Sequence, residues 1–103
     1  MIIVTIDYIP GKEFDVLGIA KGSVIQSRHV GRDIMSGLKT LVGGELSSYT
    51  EMMNEARAKA TQRMVANATD MGADAILCMR YASSAIMQGA AEVMAYGTAV
   101  KLK

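Results

Sequence analysis

The chain has 103 residues, half of them hydrophobic and a fifth charged, with a formal net charge of +1. That length fits a single domain over 1–103, with enough core to fold without disulfides or metals. Balanced charge and high apolar content exclude disorder, and without a concentrated basic patch no nucleic-acid partner is expected. Nothing approaches 18 consecutive apolar residues, so no membrane-spanning helix is expected. Cys78 is the only cysteine. It excludes an intrachain disulfide and, with no export signal at the start of the sequence, points to the cytoplasm.

Residues 2–8 are rich in Ile and Val and predict a strand. Pro10-Gly11 suits a type II turn, in which Pro fixes φ and Gly accepts a positive φ. Residues 14–25 read as extended, with Gly18 and Gly22 as bulge or close-approach points. Val30, Ile34, Leu38, Leu41 and Val42 recur at helical spacing and predict a short helix over 29–41, stopped by Gly43-Gly44. The strongest local pattern is a long helix over 48–71. Ser48 and Glu51 have capping-box spacing. Met52, Ala56, Ala60, Met64, Ala68 and Met71 form one stripe, and its alanines allow close approach to a neighbour. Glu55 and Lys59 stand in the favourable i,i+4 order, and Gly72 suits the C′ position.

Two extended runs follow, 75–82 and 91–102, joined through Ser83, Ser84 and Gly89 as a hairpin. In the last run Met94, Tyr96, Thr98, Val100 and Leu102 share one face, and Val93, Ala95, Gly97 and Ala99 the other. Neither face is clearly polar. One helical layer covers one face only, so the second is expected to meet another copy of the chain. The nine methionines are scattered and read as core filling.

Candidate chemistry is sparse. His29 and Asp33 are four apart on the short helix and could share a metal, but two ligands do not make a site. Cys78, within Ile76-Leu77-Cys78-Met79, reads as a small buried hydrophobe, with Met79 on the opposite face. His29, Asp33 and Cys78 are therefore weak metal candidates. No nucleophile elbow, P-loop or dinucleotide fingerprint is present, so no catalytic residue and no cofactor is expected. Gly43-Gly44-Glu45 reads as a turn between helices. Arg32 suits a subunit interface, as do the amphipathic rings of Tyr49, Tyr81 and Tyr96.

Five runs occur in order: Gly31-Arg32-Asp33; Val42-Gly43-Gly44-Glu45 followed by Tyr49; Ala56-Arg57 with Ala60; Gly72-Ala73-Asp74-Ala75-Ile76; and Ala95-Tyr96-Gly97-Thr98-Ala99-Val100. Together they resemble the YbjQ-like family of small bacterial and archaeal proteins, uncharacterised and sometimes labelled heavy-metal-binding. The resemblance implies an α+β fold like the dodecin subunit, an antiparallel sheet packed on one long helix plus a short helix. It also implies a ring-shaped homopentamer. The matching positions Arg32, Asp33, Gly43, Gly44, Glu45, Tyr49 and Tyr96 are candidate interface or pocket residues. The expected function is a cytosolic, homo-oligomeric binding or scaffold protein, with a heavy-metal site at subunit interfaces as the alternative.

Overall fold

The computed structural model describes residues 1–27, 47–87 and 90–103, with side chains from Thr50 onward in the helix. The short helix expected over 29–41 lies outside the described residues, as do His29, Arg32, Asp33, Gly43, Gly44 and Glu45. The chain runs β1 (Ile2–Ile3), β2 (Phe14–Ser27), α1 (Ser47–Asp70), β3 (Ala75–Met87) and β4 (Ala90–Leu102). The four strands form one sheet in the order β1-β3-β4-β2. β4 pairs antiparallel with β2 and β3, while β1 runs parallel to β3. The sheet is therefore mixed, not wholly antiparallel as expected.

The long helix follows its pattern closely. Met52, Ala56, Ala60, Met64 and Ala68 are all buried. They face Ala20 and Val24 of β2, Ile76 and Met79 of β3, and Val93, Ala95 and Ala99 of β4. Small side chains on both layers bring helix and sheet close together. Closest of all is Gly22, where an added Cβ would collide with the Met64 N and Ala60 O atoms and lie 2.6 Å from the Arg63 Cβ. The helix ends in a Schellman motif, as Gly72 suggested. The Ala73 N–H donates to Ala68 O at 3.0 Å and the Gly72 N–H to Thr69 O at 2.9 Å, with Gly72 at φ 83°. Glu55 and Lys59 pair at 3.0 Å.

Helix side chains also reach the outer edge of β2. Asn67 Oδ1 accepts the Lys21 N–H at 3.0 Å, and Arg63 Nη1 donates to Ser23 O at 2.6 Å.

The N-terminal strand is shorter than its sequence suggested. Between Leu77 and Arg80 the register of β3 shifts, so Cys78 and Met79 lie within a bulge opposite Gly97. Cys78 takes φ 55° there. The bulge breaks the ladder that would have carried β1 to residue 8. Residues 4–6 follow it instead, taking the Met79 N–H onto Val4 O and the Cys78 N–H onto Ile6 O, both at 3.0 Å. The Lys12 N–H then donates to Ile9 O at 3.0 Å across Pro10-Gly11, with Gly11 at φ 75°, the expected type II turn. This segment packs Val4 and Ile9 with Phe14, Ala75, Leu77, Cys78, Val100 and Leu102 on the face away from the helix.

Beyond the bulge, β3 and β4 run on as a ribbon longer than the two predicted runs, and Ser83 and Ser84 lie within β3 instead of the connection. The Cα radius of gyration is 17.0 Å, against about 13 Å for a compact chain of this length. The longest dimension, 54 Å, follows the strands, since 13 extended residues span about 43 Å.

Asp74 ties the end of β4 to the helix–strand turn. Its Oδ2 accepts the Leu102 N–H at 2.9 Å, and Oδ1 lies 3.4 Å from Lys101 Nζ. The Leu102 N–H, helped by the Lys101 ammonium and opposed by partial desolvation, holds its carboxyl below the ordinary range. Its contribution to stability is therefore present above the ordinary carboxylate pKa and lost as pH falls through the folded value. Urea titrations should show Asp74→Ala less stable than the parent chain at about pH 7, with the gap closing towards about pH 2. Gly22→Ala should cost about 1–3 kcal/mol in the same titration near neutral pH, because helix and strand must separate to admit the methyl group.

Candidate functional site

Two parts of the described surface stand out, both on the sheet. The first is its outer face, away from α1. Register partners in adjacent strands share a face, so pairing assigns each row. Ile19, Thr98 and Leu77 form one row, Lys21, Tyr96 and Arg80 the next, then Ser23, Met94 and Ala82, then Ile25, Glu92 and Ser84. Tyr96 is 37% exposed although it lies on the central strand. Lys21 and Arg80 on either side of it are also exposed. Arg80 is anchored through Nη1, which donates to Thr5 O at 3.0 Å and Met79 O at 2.8 Å.

This face corrects the expectation that the whole second face is apolar. Its β4 residues are largely apolar as read, but β2 contributes Lys21 and Ser23, and β3 contributes Arg80 and Ser84. One end is covered by the chain itself, through Val4 and Ile9. A single strand's alternation does not fix the character of a three-stranded face.

The second part is the distal ribbon. From Arg80 to Met87 every residue of β3 is exposed. Ile86 and Met87 are 46% and 66% exposed, and Tyr81 on the helix side is 48% exposed. The Tyr81 hydroxyl lies 2.8 Å from the Thr61 hydroxyl, and that bond ties the base of the ribbon to the helix.

Cys78 is partly buried, not fully buried as predicted, because the bulge lifts it out of the regular strand. It packs against the outer-face cluster of Ala75, Leu77 and Val100, whereas Met79 joins the helix-side cluster. The two thus face opposite ways, as strand alternation implied. Among the described residues no three His, Cys, Asp or Glu side chains gather to hold a cation. Those residues do not fit a metal centre by themselves. His29 and Asp33 lie outside them, as do Arg32, Gly43, Gly44 and Glu45, and Tyr49 is placed in α1 by its backbone alone. Of the interface or pocket candidates, Tyr96 is the one whose side chain is described. The sequence reading missed the company of Lys21 and Arg80 around it. Register shifts at Val16/Gly18, Leu77/Arg80 and Ala85/Met87 each change strand parity. Positive φ at Gly18 and Cys78 marks the first two.

No helix among the described residues is long and apolar enough to cross a membrane. The fold is similar to that of a solved protein of unknown function from the DUF74 family of Pediococcus pentosaceus ATCC 25745. That match has a TM-score of 0.65 at 16% identity, covering 100% of this chain and 98% of that one. Relatives match along almost their full length. A UPF0145 protein of Alkaliphilus metalliredigens is 67% identical over 98% of both chains. One from Clostridium novyi is 64% identical over 99% of both. One from Methanosarcina acetivorans is 57% identical over 99% of this chain and 97% of its own. A family model described as "Putative heavy-metal-binding" matches residues 1–103. By this full-length family match and these relatives, the chain belongs to the YbjQ family, also called UPF0145.

Proposed function

We propose that the chain is a self-assembling cytosolic module, a homopentameric ring that binds or scaffolds without catalysis. The observation that carries this reading is the exposed ribbon, Arg80–Met87, with large apolar side chains at its tip. An antiparallel ribbon open to water is marginally stable by itself, and clustered apolar exposure marks contact surfaces. A second copy of the chain is the simplest cover. The family resemblance supports five copies and a dodecin-like subunit.

The family's heavy-metal description supports a second reading, in which symmetry gathers donors that one chain holds apart. His29, Asp33 and Cys78 would be those donors.

Native mass spectrometry of untagged, chelator-free protein tests both readings. The parent chain should fly as a pentamer, and Ile86→Asp combined with Met87→Asp should lower the assembled mass. Each buried side chain of this size contributes about 1.5–3 kcal/mol, so the double change should weaken association by more than about a hundredfold. An unchanged mass in the double variant removes the ribbon from the interface. A metal site predicts extra mass in metal-sized steps, lost in His29→Ala with Cys78→Ser. Equal, weak calorimetric titration of parent and variant with zinc ends the metal reading.

A further inference from the structure

The Lys21–Tyr96–Arg80 row lies at the base of the ribbon, which Arg80 opens, and its chemistry differs from that of the apolar tip. Adjacent strands lie about 4.8 Å apart, so Lys21 and Arg80 stand roughly 10 Å apart across the Tyr96 strand. Cations repeated across a sheet are ordinarily offset by carboxylates. Here the flanking rows, Ile19–Thr98–Leu77 and Ser23–Met94–Ala82, hold none. Glu92, four residues along β4 from Tyr96, is about 13 Å away. The ion pairs among the described residues are Lys59–Glu55, Lys101–Asp74 and Lys103–Asp15, and neither Lys21 nor Arg80 belongs to one. Both are nonetheless held in place at one end. The Lys21 N–H is fixed by Asn67, and the Arg80 guanidinium by the Thr5 and Met79 carbonyls.

An anchored guanidinium and an exposed lysine, neither ion-paired among the described residues, stand astride an exposed aromatic ring and suit an anion joined to a stacking surface. We propose that this row binds a small ligand that joins a planar ring to a phosphate, of the nucleoside-phosphate class. The ring lies on Tyr96, whose exposed face offers a stacking surface to a planar base. The phosphate takes charge-assisted hydrogen bonds from Lys21 or Arg80. A polymeric nucleic acid fits less well, because tracking a backbone needs a basic groove and this chain has a net charge of only +1. The proposal names a ligand class for the binding role above. It rests on that reading only in part, since none of its residues lies at the ribbon's apolar tip.

Equilibrium dialysis of the full-length assembled protein tests it, with AMP, adenosine and inorganic phosphate as separate probes and oligo(A) as competitor. AMP should be retained saturably, one per chain, with retention falling as salt rises. Adenosine and phosphate alone should each bind at least about tenfold more weakly. Lys21→Gln and Tyr96→Leu should each lower AMP affinity about tenfold, while Lys59→Gln, on the helix, leaves it unchanged. Native mass of each variant separates loss of ligand from loss of assembly. Absence of saturable AMP retention overturns the proposal. So does phosphate binding as tightly as AMP, an equal loss in Lys59→Gln, or retention of oligo(A) in preference to AMP.

Discussion

The close approach of α1 to the sheet governs the rest of the structure. The helix meets β2 and β4 largely through alanines and Gly22, with Met64, Val24 and Val93 filling the space between, so much of the core is built from small side chains. A thin core has two consequences. Little apolar area is buried per residue, so the stripe tolerates few substitutions in either direction. The helix also sits low enough for Arg63 and Asn67 to reach main-chain atoms of β2. Larger residues at Ala56, Ala60 or Gly22 would lift it beyond that reach.

The helix was legible in the sequence because its signals are local. Methionines and alanines at helical spacing, an i,i+4 ion pair and a terminal glycine all act within a few residues of one another. The Pro10-Gly11 turn was readable for the same reason. The strands were legible as runs, but their faces were only half legible. β4 alternates as its residues suggest, and Val93, Ala95, Gly97 and Ala99 turn to the helix. Its partners each carry a bulge, and a bulge reverses the side-chain parity beyond it. Nothing local to Lys21, Tyr96 and Arg80 announces that the three share a row.

The Leu77/Arg80 bulge also explains why the N-terminal segment behaves as two things at once. Its first residues extend β3 as a parallel strand, and its next residues serve amide groups that the bulge turns away from β4. Left alone, those amides would be buried donors without acceptors, which costs about 1–3 kcal/mol each. The N-terminal segment and the bulge are therefore complementary. The same segment covers Ala75, Leu77 and Val100, so less of the outer face is left open than the alternation of β4 suggests.

The bonds from Arg63 and Asn67 to β2 bear on which pairings the molecule refuses. β2 is a 14-residue strand at the margin of its sheet, the kind of unpaired backbone on which another chain can polymerise. The Lys21 amide and the Ser23 carbonyl sit near the middle of that margin, and both are already taken by side chains of the same molecule. An incoming strand would have to evict two hydrogen bonds, one of them from a guanidinium, to lie there in register. The helix thus acts as a stopper against open-ended growth along this side of the sheet.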